Sequence, residues 1–166
     1  MSQNDITKQE KPHGKFRVFL CYDKDDYEKA AILESILEGK GFGVYMVSDD
    51  SSGNFISSEL KDMIRLSICF IAIFTSNLLN SSLLNQEIGY AQGKGLRVIL
   101  IVNTKLKDEI QEIKTKLTVI EFNEQDYKQQ CISVSDRVAK IAEIMDAPID
   151  FESFLDFYTK RETKST

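Results

Sequence analysis

A carboxylate set into an apolar helical stripe is the residue here best placed for chemistry: Glu87, in the stretch SLLNQEIGYAQGKG from Ser82 to Gly95. With Leu84, Ile88 and Ala91 taken as the buried face, a helical step of about 100° per residue puts Glu87 at its margin, beside Leu83 and Tyr90 on the adjoining strip. A carboxylate next to a core carries a desolvation cost. Spacing alone leaves two readings open, a solvated or hydrogen-bonded structural glutamate and an anion held for catalysis. Histidine is no rival: His13 is the single one, and it sits between Pro12 and Gly14 in a polar leader. The cysteines Cys21, Cys69 and Cys131 show neither metal-ligand spacing nor a CxxC pair, and two of them lie in apolar runs. No metal site is expected.

The elements that must position Glu87 follow from the apolar pattern. Short apolar runs alternate with helical periodicities from Phe16 onward, as in a parallel sheet joined by crossover helices. FRVFLCY, GVYMV, SICFIAIF, RVILIV and TVIEF read as five strands, the third central and buried on both faces, the last an edge. Between them lie DDYEKAAILESILEGKG, opening on an N-cap aspartate, and ISSELKDMIRL with Ile56, Leu60, Met63 and Ile64 on one face. The Glu87 helix follows, then a polar helix around Leu106 to Lys114, then one carrying Val134, Val138, Ile141 and Met145. Two helices end in Gly-Lys-Gly before a strand, a left-handed cap used twice. Beyond Pro148, residues Phe151, Phe154, Leu155 and Tyr158 form a last amphipathic helix that covers its own domain or docks on a partner. The expected division is a disordered leader 1–14, a domain 15–147, the C-terminal helix 148–160 and a mobile tail 161–166.

Right-handed connections between five strands give a flavodoxin-like three-layer α/β fold, sheet order 2-1-3-4-5, with ligands at the carboxyl ends of the strands. That edge gathers Tyr22 and Asp23 after the first strand, Ser48, Asp49 and Gly53 after the second, and Thr75 after the third. A phosphoacceptor receiver domain needs an aspartate where the third strand ends in Phe74-Thr75-Ser76, so that reading fails. The glycines of EGKGFG lie between a helix and a strand, whereas phosphate cradling needs them between a strand and a helix. A P-loop and a nucleophile elbow are both missing. The net charge is −5, from 21 basic and 26 acidic residues, without a clustered Lys/Arg stripe, so no nucleic-acid partner is expected. The longest apolar run, Ile68 to Phe74, is too short to span a bilayer, and a cytoplasmic setting is expected.

The run FRVFLCYDKDD, the loop with Gly53 before a helix ending Ile64-Arg65-Leu66-Ser67, the strand closing in Thr75-Ser76, and SSLLNQEIGYA resemble, in order and spacing, the Toll/interleukin-1 receptor (TIR) domain, most closely its prokaryotic branch. The resemblance covers about Lys15 to Val102, with an unspecific continuation to about Met145. It implies that Glu87 is catalytic in cleaving NAD⁺ at the nicotinamide–ribose bond, as hydrolase or cyclase. It also implies that the loop Ser48 to Asn54 mediates homotypic assembly and helps complete the site, and that Cys21, Tyr22 and Asp23 line the pocket. NAD⁺ is then the substrate and no further cofactor is needed.

Three positions depart from the family. It commonly has Ser at the place of Cys21, an Asp nearer the second strand than Asp49, and Trp where this chain has Leu83. Leu83 offers apolar bulk without ring stacking, and Tyr90 is the aromatic that could compensate. The resemblance also implies a setting in anti-phage immune signalling. Two other functions remain open at this stage: a non-catalytic TIR module acting by assembly, and a nucleoside deoxyribosyltransferase-like enzyme, which shares the layout and uses a glutamate against a ribosyl cation.

Overall fold

The computed structural model describes residues 16–49, 55–110 and 117–146. The leader, the loop residues 50–54 with Gly53, the stretch 111–116, and the C-terminal helix and tail lie outside the described residues.

Five strands, β1 (Arg17–Asp23), β2 (Gly43–Asp49), β3 (Cys69–Phe74), β4 (Arg97–Asn103) and β5 (Thr118–Phe122), form one sheet in the order β2-β1-β3-β4-β5. Every neighbouring pair is parallel, as a flavodoxin-like layout requires. All six residues of β3 are buried, which places this uniformly apolar strand at the centre. The helices among the described residues are α1 (Tyr27–Gly39), α2 (Ser58–Arg65), α3 (Ser82–Gly93) and α4 (Tyr127–Asp146).

Strand alternation divides the core in two. Val18, Leu20, Ile71 and Ile73 point to the side covered by α1 and α4, where they meet Leu33, Leu37, Val134 and Val138. Phe19, Cys21, Phe70 and Ala72 point to the other side and meet Ile64 of α2 with Leu84 and Ala91 of α3. Phe19 and Phe70 stack there, ring centroids 5.1 Å apart.

Both Gly-Lys-Gly segments close their helices as the spacing predicts. Gly41 and Gly95 take φ of 91° and 77°. The amides of Gly41 and Phe42 donate to the Glu38 and Leu37 carbonyls at 2.9 and 3.1 Å, and those of Gly95 and Leu96 to the Gln92 and Ala91 carbonyls, both at 3.0 Å, the paired bonds of a Schellman cap at each end. These caps turn the chain straight into β2 and β4.

Four expectations need correction. β2 runs on through Ser48 to Asp49 instead of ending at Val47, because both residues continue the ladder opposite Tyr22 and Asp23. Asp26 stands at the start of α1 but makes no side-chain cap, its carboxylate being taken by Thr75 and Asn77. The chain after β4 makes a short 3₁₀ turn, Thr104–Leu106, capped by Asn103, and a turn through 107–110; the remainder of the polar helix expected around Leu106 to Lys114 lies outside the described residues. On α4 the buried face is Tyr127, Cys131, Val134, Ser135 and Val138, while Met145 is exposed on the last turn, beyond the reach of the sheet.

Candidate functional site

Glu87 is delivered by α3, and α3 is placed by its cap. Ser81 precedes the helix in extended conformation, and its hydroxyl accepts the Leu84 amide at 3.0 Å. The same hydroxyl donates to the carboxylate of Asp49, the last residue of β2. One turn into the helix, Gln86 Oε1 accepts the Ile56 amide at 3.2 Å and ties α3 to the approach to α2. The helix start is therefore fixed from two directions.

With that register the buried residues of α3 are Leu83, Leu84, Glu87 and Ala91. Glu87 is not at the margin: only 1% of its surface is exposed, and Ile88, placed in the stripe from spacing, is half-buried instead. The helix is rotated so that the carboxylate enters the layer between α3 and the sheet, where Cys21 of β1 also points.

Neither Glu87 oxygen receives an N–H or O–H from the described residues; the only donor beside them is the weak Cys21 thiol. Buried carboxylates are ordinarily hydrogen-bonded, so this one is exceptional. Burial pushes it up to about 7; the nearby Cys21 thiol, a weak donor, pulls it back and the carboxylate of Asp49 raises it further. Cys21 is itself held well above the ordinary thiol range by burial and by the Glu87 charge, so it is an inert thiol rather than a nucleophile.

The described candidate residues fall into four groups, Gly53 lying outside them. Cys21, Asp49 and Leu83 share the α2/α3 side of the sheet with Glu87 or lie within one turn of it. Tyr22 and Thr75 face α1: Tyr22 packs in that core with its ring 6.2 Å from Tyr27, and Thr75 bonds Asp26. Asp23 and Ser48 stand at the rim, where Asp23 accepts the Asp25 amide at 2.9 Å and Ser48 is exposed. Tyr90 lies half-buried under two ammonium groups, Lys61 at 5.8 Å and Lys94 at 5.5 Å from its ring centre.

Sequence reasoning missed Ser81, Gln86 and the partners of Asp26. Ser81 had a signal, since serine three residues before Leu84 fits the N-cap preference. Gln86 and the Thr75–Asn77 clip had none, because they depend on which loops meet. Among the described residues no group of His, Cys, Asp and Glu could hold a metal ion. No described helix is long and apolar enough to cross a membrane.

Comparison with known proteins decides the family. A family model for the TIR domain matches residues 18–133, well over half of the chain. The chain belongs to the TIR domain family. The match spans β1 through the first turns of α4, so both sides of the sheet, including Glu87, lie inside this TIR domain. No curated protein matches the sequence.

A solved structure agrees on the fold. A diflavin flavoprotein A3 from Nostoc sp. superposes with a TM-score of 0.52 at 12% identity, covering 77% of this chain and 94% of that one. The TIR domains of the activated Roq1 resistosome directly recognising the effector XopQ give 0.45 at 18% identity, over 73% and 84%. A CMP N-glycosidase from Clostridium botulinum gives 0.49 at 24%, over 72% and 98%. At 12% identity the flavoprotein likeness speaks to architecture alone, and the two likenesses with TM-scores under 0.5 carry no weight for fold or function.

Proposed function

We propose that this TIR domain cleaves NAD⁺ at the nicotinamide–ribose bond, with Glu87 as the catalytic carboxylate. The observation that carries the reading is the one described above: a buried carboxylate that no N–H or O–H of the described residues reaches, with only the weak Cys21 thiol beside it, on the helix that follows the central strand. Such a group costs stability and performs no structural bonding. An incoming ribose supplies the hydroxyl donors that it lacks.

The chemistry requires little else. In NAD⁺ the nicotinamide nitrogen is already cationic. When the bond to the ribose breaks, the electron pair stays with nicotinamide, which departs neutral, and the positive charge moves to the ribose. No general acid is needed, in contrast to ordinary glycosidases with two carboxylates. Glu87 stabilises the growing oxocarbenium charge across a dry interface, where the electrostatic effect is strong. A cationic substrate also draws Glu87 into its ionised form. Water capture gives ADP-ribose with release of a proton, and capture within the molecule gives a cyclic isomer. Leu83, one turn earlier, contributes apolar bulk to the same side.

We assign the activity to the cytoplasm and to immune, anti-phage signalling through a nucleotide product or loss of NAD⁺. Assembly of TIR domains through the 48–54 loop accompanies it. Phe55, immediately after that loop, is 83% exposed, an apolar side chain suited to an interface.

The test follows free nicotinamide during incubation with NAD⁺ over a range of protein concentrations, for the native chain and for Glu87→Gln. Release by the native chain and its loss in Glu87→Gln is the expected result. Equal release by both removes Glu87 from its role. A chain that assembles as concentration rises yet releases nothing is an assembly module.

A further inference from the structure

Asp49 is 3% exposed, and its carboxylate receives the hydroxyl of Ser81. It thus spends its charge inside the protein, at the junction of β2 with α3. Ser81 is 32 residues away in sequence, and its oxygen at the same time accepts the Leu84 amide, the first-turn hydrogen bond of the helix that carries Glu87. A chain of contacts therefore runs from the tip of β2, through one hydroxyl, to the backbone one turn before Glu87.

We propose that Asp49 is a positioning residue for Glu87, acting through Ser81 to fix the first turn of α3 against the end of β2. The inference deepens the proposed NAD⁺ cleavage and rests on it only for the kinetic readout. A serine cap alone holds its helix end, but its hydroxyl hydrogen is free to rotate. With Asp49 as acceptor that hydrogen is directed toward β2, and the lone pairs are presented to the Leu84 amide. The anchor at Asp49 thereby fixes α3 in the rotation that turns Glu87 inward.

Asp49 also acts at a distance. Around Glu87 the described groups are the Cys21 thiol from β1 and Asp49 from β2; Asp23 bears on Cys21. β3 presents Phe70, Ala72 and Phe74, α2 presents Ile64, and the α2 residue Lys61 lies over the Tyr90 ring. Asp49 is therefore the only acid among the described groups that raises Glu87, opposing its ionisation while the site is empty.

Amide hydrogen exchange and carboxyl carbon NMR test this without any need for activity. Asp49→Ala accelerates exchange at Leu84 and Asn85 about fivefold, the loss expected when a cap is weakened. Asp49→Asn, whose amide oxygen still accepts from Ser81, keeps native exchange while moving the Glu87 titration to lower pH. Ser81→Ala reproduces the faster exchange and serves if Asp49→Ala does not fold. In nicotinamide release, Asp49→Ala lowers kcat about tenfold with KM unchanged, as for a misplaced catalytic group, and Asp49→Asn restores it.

Unchanged exchange in both Asp49→Ala and Ser81→Ala overturns the proposal. A raised KM with native exchange and kcat does so too, and makes Asp49 a direct substrate contact. Absence of nicotinamide release from the native chain sinks the catalytic reading alone, since the exchange and titration results stand apart from it.

Discussion

The two sides of the sheet bury polar groups in opposite ways. On the α1/α4 side, Tyr127 donates its hydroxyl to the Lys29 carbonyl at 2.7 Å, and Ser135 donates to the Ile132 carbonyl at 2.7 Å. Each donor there has an acceptor, and the arrangement serves stability. On the α2/α3 side, Glu87 is more polar and equally hidden, yet its oxygens receive no N–H or O–H from the described residues and have only the weak Cys21 thiol beside them. Two layers built by one rule of strand alternation thus differ at one group: the α2/α3 side also satisfies Asp49 and Ser67, but leaves Glu87 without an N–H or O–H.

The comparison breaks first at Glu87. Replacing it by Gln lowers nicotinamide release by about a hundredfold to a thousandfold, the range for removal of one preorganised electrostatic group. Stability moves the other way. Because burial raises Glu87 from 4.5 to about 7, the folded state holds its proton longer than the unfolded chain. Its contribution is fully present below pH 4.5 and is lost as pH rises through 7. At pH 8 Glu87→Gln is therefore more stable than the native chain by on the order of 3 kcal/mol, and at pH 4.5 the two converge. Urea unfolding at both values checks this; a constant difference would mean that Glu87 titrates normally.

The satisfied side responds in reverse. Tyr127→Phe removes the donor to the Lys29 carbonyl and costs about 1 kcal/mol in urea unfolding at any pH between 5 and 8, without altering nicotinamide release. The smallest effect belongs to neither side. Gly95→Ala forces an alanine to a φ of 77° and costs about 1 kcal/mol or slightly less. Its neighbourhood is open, so a fall in melting temperature would report the backbone alone.

The layout was legible in the sequence because it depends on patterns within single segments. CFIAIF has no polar residue, so β3 had to be central, and GKG before an apolar run had to be a cap. Glu87 was singled out for its chemistry but misplaced by its geometry. Spacing gives the relative angles on α3, not the rotation of that helix against the sheet, and the rotation is set by Ser81, Asp49 and Gln86 from distant segments. Tyr22, Thr75 and Tyr90 were grouped with Glu87 because they share an edge or a helix. Alternation sends the first two to the opposite layer.

Asp26 leaves its own helix uncapped to accept hydrogen bonds from Thr75 and Asn77, across 49 and 51 residues of chain. The seam between β1 and β3, where the winding of the sheet reverses, is thereby stitched shut by side chains rather than left to loop length. A probe attached at the opening of α1 will consequently sense changes made just past β3.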